Sequence, residues 1–138
     1  MPVVVDSNIL VVLVNGDPRG ELAQRLFDNW RRQQIEIHAP VLAYYEIANA
    51  LTRLVVNGSY PQERLGEAEI FLDSLPIIYH DFSQLTRIVE IGLSLGRQSA
   101  YDAAYIALAQ ELGAELWTLD GPLYRNAVGL GFPVQLLS

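Results

Sequence analysis

The chain has 138 residues, of which 51% are hydrophobic and 18% charged, and its formal charge is −7. That size fits one domain spanning residues 1–138 with a real buried core. It has no cysteine, and all nine basic residues are arginine, which excludes disulfide frameworks, thiolate zinc sites, Fe–S clusters, Walker-A phosphate clamps and Schiff bases.

Residues 3–5, Val3-Val4-Val5, read as a β-branched strand stopped by Asp6. Residues 8–14 continue as a short apolar helix, ended by the turn residues Asn15-Gly16-Asp17-Pro18. Residues 19–33 carry Leu22, Leu26 and Trp30 at helical spacing, and 35–39 form a second strand. Pro40 opens a helix over 40–56, with Tyr44, Ile47, Ala48, Leu51 and Val55 as its apolar stripe, and Asn57-Gly58 stops it. A helix over 61–75, a strand over 77–80 and a helix over 83–95 follow, the last closed by Gly96. Residues 100–112 form a further helix, whose end at Gly113 suits a left-handed cap. A strand over 116–119, a helix over 123–130 and a strand over 134–137 complete the pattern.

Short apolar strands alternating with helices predict a three-layer α/β/α sandwich, its parallel sheet covered on both faces. Ligands of such sheets bind beyond the carboxyl ends of the strands. The segment from Met1 to Leu13 has no basic leader and carries Asp6 inside its apolar run. Neither a signal peptide nor a spanning helix is expected, so the predicted location is the cytoplasm, with no membrane partner.

Two carboxylates fall at predicted strand ends: Asp6 after Val5, and Asp120 after Leu116-Trp117-Thr118-Leu119. Two more stand on helices in apolar surroundings, Glu46 and Asp102, whereas Glu63, Glu67 and Glu69 lie in polar sequence. Each has a plain structural reading. Asp6 and Asp120 could cap the helices that follow them, Ser99 and Asp102 have capping-box spacing, and Glu46, Asn49 and Arg53 could form a solvated stripe. Together, however, strand ends and nearby helix starts on one rim bring several carboxylates into one cleft. Such a cluster repels itself and takes up protons unless a cation compensates. Oxygen donors without cysteine, and with histidine only at His38 and His80, favour Mg²⁺ or Mn²⁺ over Zn²⁺. Ions of that kind support hydrolysis of phosphodiesters.

The order Asp6-Ser7-Asn8, Glu46 within Tyr-Glu-Ile-Ala-Asn-Ala-Leu, Tyr101-Asp102-Ala103-Ala104 and Thr118-Leu119-Asp120 resembles the PIN-domain family. More narrowly, it resembles the VapC-type toxin ribonucleases of prokaryotic toxin–antitoxin pairs, essentially from end to end. The resemblance implies a parallel sheet of five strands and cleavage of RNA dependent on Mg²⁺ or Mn²⁺. It also implies a cognate antitoxin as partner and suggests a homodimer. Carried over by motif, Asp6, Glu46, Asp102 and Asp120 match the family's acidic quartet. Asp6 and Asp102 would be the central metal ligands, Glu46 would hold metal or orient water, and Asp120 would complete the site. Asn8 and Thr118 match the quartet's polar companions, with orienting roles. Gly121-Pro122 departs from the polar or acidic residue common after the last acid.

Arg53, Arg97 and Arg125 each lie near a quartet motif and are the substrate-binding candidates, since arginine suits phosphate. A solvated or surface-paired arginine is the alternative for each. His38 and His80 sit in no metal-ligand spacing and read as core or surface. Tyr44, Tyr101 and Tyr105 fall on helical apolar stripes, which points to core or interface packing rather than base stacking. Ala103, Ala104 and Ala107 would permit close helix approach, including in a dimer. Two rivals stand beside the ribonuclease reading: a non-catalytic PIN module that binds RNA or protein, and a nuclease of the same fold acting on DNA. The first predicts a lost acid, and none is missing. The second predicts extra acids and insertions, for which this length has no room.

Overall fold

The structure, a computed structural model, describes residues 1–97 and 100–138. Five strands, β1 (Val3–Val5), β2 (Ile37–Pro40), β3 (Ile77–His80), β4 (Glu115–Thr118) and β5 (Val134–Leu136), form one sheet in the order β3-β2-β1-β4-β5. All four pairings are parallel. Seven α-helices are described: α1 (Ser7–Val12), α2 (Gly20–Arg32), α3 (Leu42–Val56), α4 (Leu65–Asp73), α5 (Leu85–Leu95), α6 (Tyr101–Leu112) and α7 (Gly121–Gly129). They make the outer layers of a three-layer α/β/α fold.

Burial follows strand position. Every residue of β1 and β2 is buried, as expected for interior strands covered on both faces. β3, at the sheet edge, leaves Ile78 and Tyr79 exposed. α6 packs on β1, β2 and β4, with α5 against it, while α1 packs on α2 and α3. Ala103, Ala104 and Ala107 are buried within the chain. Their small side chains let α6 approach its own sheet, so they are not a surface for a second copy. On α2, Phe27 and Trp30 are buried, and Trp30 meets Trp117 of β4 edge-on at 6.0 Å.

Several boundaries differ from the sequence expectation. Pro40 ends β2 rather than opening a helix, because its carbonyl-side neighbour Val41 donates to the His80 carbonyl of β3 at 2.8 Å. The helix expected over 61–75 is a 3₁₀ turn (Gln62–Arg64) followed by α4. Gly113 has φ +63° and closes α6 in the left-handed conformation, as expected. At Gly20 an added Cβ would stand 2.6 Å from the Val12 carbonyl oxygen, so only glycine lets α2 start this close to α1.

The chain leaves β1 toward β2 on one side, and β4 flanks β1 on the other. That makes the β1/β4 boundary a topological switch point, where the crevice beyond the strand ends receives ligands. Asp6 follows β1 and Asp120 follows β4, so both stand at the mouth of this crevice.

Candidate active site

Asp6 is the centre of the cluster. It is 7% exposed, and its main-chain N–H is tied to the Trp117 carbonyl at 2.9 Å. Thr118, fully buried at the end of β4, donates its hydroxyl to Asp6 Oδ2 at 2.8 Å. The Thr118 Oγ1 also accepts from the Asp120 N–H at 3.0 Å and from Asn8 Nδ2 at 3.2 Å. Asn8 in turn donates to Asp6 Oδ2 at 3.3 Å and accepts from the Leu119 N–H at 3.1 Å. These two side chains therefore lock the ends of β1 and β4 together around one carboxylate.

Burial pushes the Asp6 carboxyl up to about 7. The Thr118 hydrogen bond opposes that rise, while the charges of Glu46 and Asp102 add to it. Asp102, in the first turn of α6, is raised mainly by burial and also by Asp120, with Arg97 acting against both. The four acids thus share one electrostatic neighbourhood. Ser7 and Glu46 strengthen the link: Ser7 Oγ lies 3.3 Å from Asp6 Oδ1 and 3.3 Å from Glu46 Oε1.

Asp120 has a structural duty as well. It is the N-cap of α7 and accepts from the Leu123 N–H at 3.0 Å. Asp6, by contrast, precedes α1 without a full side-chain capping bond, although the Asn8 main-chain N–H in the first turn still favours its charged form. Ser99, the other half of the capping box considered for Asp102, lies outside the described residues.

A cleft of about 540 Å³ opens over this cluster. Ser7, Asn8, Glu46, Asp120 and Tyr101 contribute to its walls, as do Asn49 and Arg53 from the next turns of α3. Arg53 thus faces the acids. Arg97 is paired with Asp102, Nη1 to Oδ2 at 3.7 Å. Arg125 folds back over Gly121 of its own helix, where an added Cβ would meet its Nη1 at 3.0 Å. Arg19, which the sequence did not single out, also lines the cleft while held bidentately by Asp17.

Of the core or interface packing expected for Tyr44 and Tyr101, the core is excluded, since they are 51% and 60% exposed; Tyr44 lines an apolar groove against α4 and β3, and Tyr101 lines the acidic cleft. Tyr105 is 1% exposed, yet its hydroxyl reaches Glu46. His38 and His80, distant in sequence, meet across β2 and β3 with Nδ1 and Nε2 2.7 Å apart.

The donor set suits a hard divalent cation: carboxylate oxygens only, one of them pushed toward protonation by its burial and, to a lesser extent, by the charges of its neighbours. Among the described residues no three acids or histidines converge tightly enough to enclose an ion. Mg²⁺ is commonly held by one or two carboxylates with water completing its shell, so the residues fit such an ion in that manner.

Residues 3–129 match the family model described as PIN domain. The chain is 32% identical to Ribonuclease VapC3 of Pyrobaculum aerophilum over 96% of its own length and all of that protein. It is 34% identical to Ribonuclease VapC9 of Mycobacterium tuberculosis, over 75% of this chain and 83% of that one. In fold it resembles the crystal structure of PAE2754 from Pyrobaculum aerophilum, with TM-score 0.70, 21% identity, and coverage of 91% of this chain and 79% of that one. It also resembles VapBC2 from Rickettsia felis, solved bound to a DNA fragment from the promoter, with TM-score 0.73, 13% identity and full coverage of both chains. Among the described residues no helix is long and apolar enough to cross a membrane. By the span of the model match and the full-length likeness to a curated relative, the chain belongs to the PIN domain family.

Proposed function

We propose that the chain is a divalent-metal-dependent endoribonuclease of the VapC type, the toxin of a toxin–antitoxin pair acting in the cytoplasm. The observation that carries this reading is the buried Asp6 at the β1/β4 switch point, with Glu46 and Asp102 close enough to disfavour its charge. The curated relatives named as VapC ribonucleases support the choice of RNA as substrate.

Asp6 and Asp102 are the proposed principal ligands of Mg²⁺ or Mn²⁺, with Glu46 and Asp120 completing the negative site. The ion supplies Lewis-acid charge for in-line displacement at phosphorus and makes water a better nucleophile. Thr118 and Asn8 hold Asp6 in one orientation from the Oδ2 side. Glu46, which lines the cleft, would hold the ion or orient the attacking water. Arg53 gives the cleft a cation for the RNA backbone within an otherwise acidic chain.

Cleavage of RNA in Mg²⁺ or Mn²⁺ by the wild type, Asp6→Asn and Asp102→Asn tests the site. Cleavage by the wild type with a loss of about 100-fold or more in both variants is expected. Equal activity in all three would sink the assignment. A parallel incubation with DNA decides between RNA and DNA substrates. The antitoxin partner and a homodimer belong to the same proposal. Growth arrest on expression, relieved by the partner, is the outcome expected in cells.

A further inference from the structure

α6 carries Asp102 in its first turn and Tyr105 one turn later. The Tyr105 ring is part of the core, but its hydroxyl is not spent on packing. It accepts from the Ser7 main-chain N–H at 3.3 Å and donates to Glu46 Oε1 at 2.6 Å. Three elements that the sequence separates widely, α1, α3 and α6, therefore meet at this oxygen. A hydrogen bond of this length to a carboxylate is charge-assisted and among the stronger kinds.

Ser7 alone could not fix Glu46. Its hydroxyl stands 3.3 Å from carboxylates on both Asp6 and Glu46, but it has one proton to offer. The phenol proton of Tyr105 has one carboxylate acceptor, Glu46. A phenol ordinarily keeps its proton throughout the neutral range, so the Tyr105 hydroxyl is the donor in this contact. Without that donor, Glu46 would be a flexible side chain at a cleft wall, with rotamer freedom to lose on binding an ion.

We propose that Tyr105 is a positioning residue, which clamps the Glu46 carboxylate beside Asp6 and sets its place relative to Asp102 on the tyrosine's own helix. This rests on the reading of the acidic cluster as a cation site. Tyr105 acts through Glu46 and touches neither ion nor RNA. A purely structural role for the phenol would alter stability but leave the two residues uncoupled in cation binding.

The test is a double-variant cycle read by calorimetric titration of Mn²⁺ into RNA-free protein: wild type, Tyr105→Phe, Glu46→Gln and the pair. Tyr105→Phe should weaken Mn²⁺ binding about tenfold. Glu46→Gln should weaken it as well, and adding Tyr105→Phe to Glu46→Gln should cost nothing more. Wild-type affinity in Tyr105→Phe, or the same loss in both backgrounds, would overturn the proposal. Circular dichroism confirms the fold, and Tyr105→Met, which also lacks the hydroxyl, enters the same cycle if the phenylalanine variant does not fold. Coupling without RNA cleavage would overturn the nuclease reading and leave this relation standing. Cleavage without coupling would overturn this relation alone.

Discussion

The guanidinium of Arg97 lies 3.7 Å from Asp102 Oδ2, so a cation belonging to the chain already sits at one of the acids proposed to hold metal. The pair is partly open to solvent on both sides, which makes it weak enough to exchange. On the proposed reading, Arg97 and a divalent ion would compete for the same carboxylate. The displaced guanidinium would then be available to the phosphate of a substrate.

Removing it should therefore have opposite effects on two ligands. Arg97→Gln is expected to bind Mn²⁺ several-fold more tightly by calorimetry, and single-stranded RNA several-fold more weakly by anisotropy. Weaker Mn²⁺ binding would mean that Arg97 supports the site rather than competing for it.

The high proton affinity of Asp6 predicts an unusual dependence of stability on pH. In the folded chain Asp6 titrates at about 7, against 3.8 as the ordinary value. Between those values the folded state holds the proton and the unfolded state does not. Stability of metal-free protein therefore falls as pH rises from about 4 to about 7, by up to about 1.4 kcal/mol per pH unit. Asp102 is raised too and acts in the same direction. Thermal unfolding in chelator from pH 4 to pH 8 should show this slope in the wild type and a shallower one in Asp6→Asn. Saturating Mg²⁺ should restore wild-type stability at pH 8, above the value of about 7 for Asp6. A wild-type slope in Asp6→Asn would contradict this origin.

Arg53 and Arg125 look alike in sequence, each near an acid, but the fold sorts them. Arg53 lines the cleft, whereas Arg125 covers the first turn of its own helix. In the Asp6→Asn background, Arg53→Gln should reduce the dependence of log K on log salt for single-stranded RNA by about 0.7. Arg125→Gln should leave that slope as it is. Equal slopes for both would place the RNA backbone elsewhere.

The acids at the strand ends were legible because two local signals coincide there, a β-branched run and the carboxylate that stops it. Asp6 shows this most clearly. Thr118 and Asn8 were legible from motif order, and the fold supplies their reason: both bridge β1 to β4 through one carboxylate oxygen. Tyr105 was not legible as part of the site. A tyrosine at helical spacing predicts burial, and the ring is buried; nothing in the spacing says where its oxygen goes. The meeting of His38 with His80 depends on the β2/β3 register, which pairs His38 with Ile78 and Pro40 with His80. No local pattern encodes that register. The alanines of α6 misled in a different way, because close approach to a sheet and close approach to a second helix require the same small residues.

The edge-on contact between Trp30 and Trp117 has a practical consequence. These are the chain's two tryptophans, so its tryptophan emission arises from a single coupled pair. One ring belongs to α2 and the other to β4, directly before Thr118. Fluorescence followed during denaturation thus reports when one outer helix parts from the sheet. Events confined to α4 or α5 would pass unseen in that signal and need another probe.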